Sequence, residues 1–77
     1  MYTKHEVKTL KEYWKVLKEL REDRDITQAE IASILHTTQQ VYSRYEKGIT
    51  ELPLHHLVTL CNYYNVSADY ILTLSDS

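Results

Sequence analysis

A single glycine, Gly48, and a single proline, Pro53, are the only strong helix breakers in this chain of 77 residues. Glycine loosens a helix, and proline lacks the amide hydrogen that would continue one. A chain with so few breakers is expected to form helices joined by short turns. Hydrophobic residues make up 43% of the chain, which is enough for one compact core. We therefore predict a single all-α domain over residues 1–77.

Apolar side chains recur at the three- and four-residue spacing of amphipathic helices and predict five helical segments. The first is an extended N-terminal helix, in which residues 1–15 form an extension ahead of the core. Residues 75–77 are expected to form a frayed tail. The predicted segments span about 5–24, 27–35, 38–47, 53–64 and 68–74.

The second and third segments have the clearest boundaries. Thr27 followed by Glu30 is a capping box, which predicts the start of the second helix. After a tight turn, Thr38 is suited to cap the third helix, and Gly48 is suited to end it. These two helices are therefore predicted to form a helix-turn-helix.

The third helix has few apolar side chains. Tyr42 and Tyr45 fall on one side and form a narrow apolar seam. Most of the remaining surface carries side chains that form hydrogen bonds: Gln39, Gln40, Ser43, Arg44 and Lys47. Glutamine can pair with adenine, and arginine with guanine, through two hydrogen bonds in the major groove. We predict that this helix reads base edges; the alternative is a solvated face of a helix bundle.

The start of the second helix is a candidate phosphate site. Its free backbone N–H groups and positive dipole end attract anions, and Gln28 adds a side-chain donor. Lys47, near the end of the third helix, is placed to reach a second phosphate. Such contacts fix the register of a protein on DNA, while other side chains read the sequence.

These segments together resemble the phage repressor/Cro (XRE-like) family of helix-turn-helix domains. The resemblance covers roughly Leu17 to Leu74. It rests on Thr27-Gln28-Ala29-Glu30-Ile31-Ala32, Thr37-Thr38-Gln39-Gln40, Ser43-Arg44-Tyr45-Glu46-Lys47-Gly48, Leu52-Pro53 and Asn65-Val66-Ser67-Ala68-Asp69-Tyr70-Ile71-Leu72. It implies a compact five-helix, repressor-like domain that binds operator DNA, usually as a two-fold dimer.

The resemblance also implies roles for individual residues. Gln28 matches a phosphate contact, and Arg21 and Glu46 match a buried or half-buried ion pair that ties the first helix to the end of the third. The remaining DNA contacts fall into three groups. Base-facing positions are Gln39, Gln40 and Arg44; positions near phosphate or bases are Thr38 and Ser43; and Val41 is placed to touch a thymine methyl group.

The chain departs from the family pattern at three places, one of which is Thr37, where the family often has an apolar residue. His36 stands where the family usually has a glycine in the turn, and a left-handed residue there costs about 1–2 kcal/mol without glycine. The loop before the fourth helix carries Glu51 where the family often has a basic residue. Residues 49–51 are therefore not included among the predicted contacts, and modest affinity is expected.

Charge and composition limit the other functions. A net charge of −2 argues against DNA binding, but the charge on the face that meets phosphate matters more. Cys61 is the single cysteine, and the chain has no signal peptide and no apolar run of about 18 residues. A cytoplasmic protein without a membrane partner is expected. The histidine spacing does not suggest a metal site, and no catalytic constellation stands out, so neither an enzyme nor a cofactor is expected.

The predicted function is a sequence-specific regulator of transcription that binds double-stranded DNA, as a repressor and homodimer on a palindromic operator. The alternative is a protein-interaction module, such as an antitoxin-like partner with weak DNA binding. Apolar residues of the extension, with Trp14, either pack on the fifth helix or pair with a protein partner. The apolar set is Val7, Leu10 and Trp14. Beside it lies a lysine stripe of Lys4, Lys8, Lys11, Lys15 and Lys18. We interpret this stripe as a solvated flank; the alternative is an edge that follows phosphates or binds a partner.

Overall fold

A computed structural model describes residues 12–72 of the chain. These residues form five helices and no strand: α1 (Trp14–Asp23), α2 (Gln28–Ile34), α3 (Gln39–Glu46), α4 (Leu54–Tyr64) and α5 (Ala68–Ile71). The predicted all-α fold with five helices is confirmed. Helix α3 packs against α2 and α1, and α5 packs against α4 and α1. None of the helices in this range is long and apolar enough to cross a membrane.

The first helix begins at Trp14, so the continuous helix predicted from His5 to Arg24 is wrong at its start. Glu12 has a φ angle of 63°, in the left-handed region that an α-helix excludes. The Glu12 carboxylate also forms an exposed ion pair with Lys15, at 2.9 Å. Residues 1–11, which hold Val7, Leu10 and three lysines of the predicted stripe, lie outside the described residues.

The last helix is shorter than predicted and ends at Ile71. Leu72 leaves the helical conformation with a ψ angle of 0°, and its N–H closes the final turn on the carbonyl of Ala68 at 2.8 Å. The tail predicted at 75–77 lies outside the described residues.

The hydrophobic core lies where α1 through α5 meet. Tyr42 and Tyr64 are among its largest fully buried side chains, so tyrosine fills space that phenylalanine often takes. The buried apolar residues are Leu17, Leu20, Ile31, Ala32, Leu35, Tyr42, Tyr45, Leu57, Leu60, Tyr64 and Ile71. Cys61 is half-buried beside this core, and burial raises the pKa of its thiol.

The helices α1 to α4 are each followed by a residue with a left-handed backbone. These residues are Asp25, His36, Gly48 and Asn65. Only one of them is glycine; aspartate, histidine and asparagine are the side chains that tolerate this region best. Because each one reverses the chain within a few residues, the helices are joined by the short turns that the scarcity of glycine and proline predicted.

Contacts distant in sequence fix α1 on the rest of the fold. Trp14 is half-buried and packs on the core, and its indole lies so close to Gly48 that a Cβ there would be 2.6 Å from Trp14 Cε2. Trp14 therefore meets the end of α3, where the prediction offered α5 or another chain. At the other end of α1, the Arg24 guanidinium donates to the Tyr64 carbonyl at 2.8 Å and lies 5.1 Å from the Tyr64 ring centroid.

Candidate nucleic-acid interface

Two hydrogen bonds between Thr27 and Glu30 form the predicted capping box at the start of α2. The Thr27 hydroxyl accepts from the Glu30 N–H at 3.1 Å, and the Glu30 carboxylate accepts from the Thr27 N–H at 2.8 Å. Both donors would otherwise lack a partner at a helix start. The predicted capping box is confirmed, and it makes Gln28 the first residue of α2.

The turn between α2 and α3 is held by backbone bonds around His36, whose φ angle is 59°. The His36 N–H donates to the Ser33 carbonyl at 3.0 Å, and the Thr37 N–H donates to the Ala32 carbonyl at 2.9 Å. This pair of bonds is a Schellman motif, which ends a helix in a left-handed residue. Thr38 then caps α3, and its hydroxyl accepts from the Val41 N–H at 3.2 Å.

Helix α3 is anchored by its tyrosine seam, as predicted. Tyr42 is fully buried and Tyr45 nearly so, and their rings meet edge to face with centroids 6.1 Å apart. Burial and the Glu46 carboxylate raise the pKa of Tyr42, so its phenol stays neutral. The residues on the other side of the helix are at least partly open to solvent: Gln39, Gln40 and Arg44 are exposed, and Ser43 is half-buried.

One shallow concavity collects most of the predicted DNA contacts. It is lined by Gln28, Gln39, Gln40, Ser43, Arg44, Lys47 and Ile49. Gln28 comes from α2, Ile49 from the following loop, and the other residues from α3 and its end. Two of the lining residues are cations, and none of those described is acidic. The surface is therefore locally basic although the chain as a whole carries a charge of −2.

A buried ion pair supports this concavity from behind. Arg21 Nε donates to Glu46 Oε2 at 2.6 Å, and Arg21 Nη2 donates to Glu46 Oε1 at 3.1 Å. The two side chains are only 12% and 3% exposed, respectively. Arg21 Nη1 also donates to the Ile26 carbonyl at 3.0 Å, so one guanidinium joins α1, the loop before α2 and α3.

Gln28 extends the same cluster towards the surface. Its Nε2 donates to Glu46 Oε1 at 3.0 Å. Burial opposes ionisation of Glu46, but the hydrogen bonds from Arg21 and Gln28 outweigh it and lower the pKa of the Glu46 carboxyl. A primary amide carries two hydrogens, so this bond leaves Gln28 one N–H for a further acceptor. Glu46 thus orients Gln28 at the edge of the concavity.

Two of the predicted contact residues lie outside the concavity. Thr38 is exposed and serves as the cap of α3, while Val41 is half-buried and packs on the core. Glu51 lines a separate groove with Tyr13 and Leu52, so its charge is not part of the concavity. Ile49 is the lining residue that the sequence analysis left out. The signal for it was its place directly after Gly48, the predicted end of the third helix.

The fold and this surface define a class: a helix-turn-helix domain in which the outer side of α3, the second helix of the motif, is exposed. This is the architecture of DNA-binding regulators. A helix-turn-helix family model matches residues 17–71. The chain therefore belongs to the helix-turn-helix family of the XRE type. Among residues 12–72, no group of His, Cys, Asp or Glu side chains is placed to hold a metal ion.

One curated relative comes from Bacillus subtilis (strain 168). It is the uncharacterized HTH-type transcriptional regulator YobD, and the two chains are 36% identical over 64 residues. The matched stretch covers 83% of this chain and 57% of the relative, so the chain spans little more than half of that protein. No solved structure gives a significant match.

Proposed function

We propose that this chain binds double-stranded DNA in a sequence-specific way and regulates transcription as a repressor. The observation that supports the proposal most strongly is the exposed row of donors on α3, with Gln28 beside it across the turn. The core-facing side of α3 is anchored by tyrosines, so its outer side is a rigid surface that can enter a major groove. The name of the B. subtilis relative, a transcriptional regulator, is consistent with this role.

The proposed contacts divide into base readers and anchors. Arg44 pairs with guanine, and Gln39 and Gln40 pair with adenine, in the geometries that these side chains favour in the major groove. Gln28 and Lys47 hold phosphates and set the register. Three further contacts complete the set: Thr38 and Ser43 near phosphate or bases, and Val41 with a thymine methyl group.

Repression is proposed to act by occlusion of a promoter. A homodimer places two α3 helices on a palindromic operator, with half-sites about 34 Å apart, one helical turn of DNA. Selection of bound fragments from random duplex DNA tests binding, sequence and spacing together. We expect enriched inverted repeats at this spacing. Enrichment of single half-sites would contradict the dimer, and no enrichment would contradict the function.

A second candidate function is a protein-interaction module of the antitoxin-like type, with weak DNA binding. An apolar groove lined by Tyr13, Leu52, Pro53, Leu54, Leu57, Leu72 and the acidic Glu51 favours it. A salt titration separates the two candidates. Phosphate neutralisation gives a log–log slope of about −0.9 per contact, so a steep fall of affinity supports the DNA function and a flat response supports the protein partner.

A further inference from the structure

Ile49 is an exposed apolar side chain on a surface that is otherwise built from hydrogen-bonding groups. It is 69% exposed and lines the same concavity as Arg44 and Lys47. Removal of an isoleucine side chain from water is favourable, and no described residue covers this one. A ligand that fills the concavity would therefore bury an apolar group among polar contacts.

The turn after α3 fixes the position of Ile49. Its N–H donates to the Arg44 carbonyl at 3.0 Å, and the Gly48 N–H donates to the Tyr45 carbonyl at 3.2 Å. In this Schellman cap the residue after the glycine usually packs on an apolar side chain one turn earlier in the helix. Here those earlier positions hold Ser43 and Arg44. The cap thus places Ile49 beside Arg44 and leaves it without its usual apolar partner.

Trp14 limits where this turn can go. Its indole fills the space next to Gly48, so close that a Cβ at that position would be 2.6 Å from Trp14 Cε2. The turn is therefore packed directly against the Trp14 indole on the side of α1. Ile49 is tied to Arg44 by its backbone hydrogen bond, and a side chain positioned by the backbone in this way can discriminate between ligands.

We propose that Ile49 is a specificity-determining residue that contacts the C5-methyl group of a thymine near the base read by Arg44. The inference rests on the proposed function and deepens it. Phosphate oxygens require donors or positive charge, which isoleucine lacks. Among the base-pair groups in the major groove, the thymine methyl is the apolar one. Ile49 therefore reads a thymine by apolar contact next to the hydrogen-bonded bases, in addition to the thymine proposed for Val41.

The test uses the duplex that the full chain selects from random DNA. Each thymine is replaced singly by deoxyuracil, which keeps its base pairing and lacks only the methyl group. At the thymine that Ile49 contacts in a half-site, the wild type should lose about fourfold in affinity, the equivalent of about 0.8 kcal/mol for one buried carbon group. Ile49→Ala should bind the unmodified duplex more weakly and show no further loss at that position.

Val58→Ala is the matched control, because Val58 is a 54% exposed aliphatic residue that lines neither the concavity nor the apolar groove. It should respond to each deoxyuracil as the wild type does. The inference is overturned if the wild type loses no affinity at any deoxyuracil, or if Ile49→Ala weakens all duplexes alike and so keeps the wild-type loss at every thymine, as a sugar contact would. If no duplex is selected, the proposed function fails and the inference fails with it.

Discussion

Glu46 joins α3 to two other helices of the fold. It is the shared acceptor of Arg21 and Gln28, and its side chain is almost fully buried. Its ion pair ties α1 to the end of α3, while Gln28 lies at the edge of the candidate interface. A single carboxylate therefore couples the stability of the fold to the placement of a predicted DNA contact.

Glu46→Gln should destabilise the domain by about 3–5 kcal/mol, since it leaves the buried Arg21 guanidinium without a counter-charge. Urea unfolding at neutral pH measures this change. Glu19→Gln is the control: Glu19 is exposed on α1, and its replacement should alter stability by no more than about 0.5 kcal/mol. Equal effects of the two substitutions would show that the ion pair does not stabilise the fold.

The same pair predicts how stability depends on pH. The folded pKa of Glu46 lies below its ordinary value of 4.5, so the unfolded chain binds the proton more readily. The contribution of Glu46 is thus complete above pH 4.5 and is lost as the pH falls through the folded value. In urea unfolding between pH 6 and pH 3 (roughly the range in which carboxylates titrate), wild-type stability should fall more steeply than that of Glu46→Gln. Parallel curves would contradict this assignment.

His36 stores backbone strain in the turn of the helix-turn-helix. A left-handed side chain other than glycine costs about 1–2 kcal/mol, and glycine loses about 0.5–1 kcal/mol through the entropy of the unfolded chain. His36→Gly should therefore stabilise the domain by about 0.5–1 kcal/mol in thermal or urea unfolding. His36→Ala keeps the strain and should give no gain. A comparable gain in stability from His36→Ala would show that the imidazole, and not the left-handed backbone, destabilises the turn.

At the scale of the elements, the end of α3 depends on a close contact between Gly48 and Trp14. Gly48→Ala adds a methyl group at a left-handed position and directly against the indole. The expected loss is about 2–4 kcal/mol, from backbone strain and overpacking together. Trp14 is the single tryptophan of the chain, so its fluorescence in the folded state reports whether the indole is displaced.

A double-mutant cycle separates the two causes of that loss. In a Trp14→Leu background the indole is gone, and Gly48→Ala should then cost only the backbone strain of about 1–2 kcal/mol. If the cost is the same in both backgrounds, the indole contact does not contribute.

The elements that could be predicted are those set by local chemistry. The capping box at Thr27, the cap at Thr38 and the tyrosine seam of α3 each follow from residues within one or two turns of each other. The left-handed Glu12 could not be predicted in this way, because glutamate gives no sequence signal for that conformation. The contact of Trp14 with Gly48 spans 34 positions and follows from tertiary packing alone.

The same division applies to the candidate site. The row on α3 was predictable because helical periodicity places those side chains on one surface. The bond from Gln28 to Glu46 was not, because it depends on how α2 crosses α3. Ile49 was set aside with Thr50 and Glu51, yet the turn at Gly48 brings it to the concavity, while Glu51 lines the separate groove.

At the scale of the whole molecule, a net charge of −2 is compatible with DNA binding because the charges are unevenly placed. Glu46 is neutralised by Arg21, and Glu51 lies on a different groove. The described lining of the concavity therefore contains cations without acids. Because the chain as a whole carries a net negative charge, affinity should be modest, and because cations meet phosphate it should be sensitive to salt.

Gln28→Ala should weaken binding to all duplexes by a similar factor, since a phosphate contact carries no sequence information. Affinities for the selected duplex and for a scrambled one, measured by fluorescence anisotropy at one salt concentration, test this. Thermal unfolding of the variant controls for the loss of its bond to Glu46. A change in sequence preference would reassign Gln28 to base reading.

The central claim is that α3 reads the sequence of double-stranded DNA, and the most direct measurement is the ratio of affinities for the selected and scrambled duplexes. For the wild type this ratio should be large. Arg44→Ala should lower the free-energy difference between the two duplexes by about 1–3 kcal/mol. Lys18→Ala, which removes an exposed cation from α1, should leave the ratio unchanged. A wild-type ratio near one, or equal ratios for the wild type and Arg44→Ala, would contradict the claim.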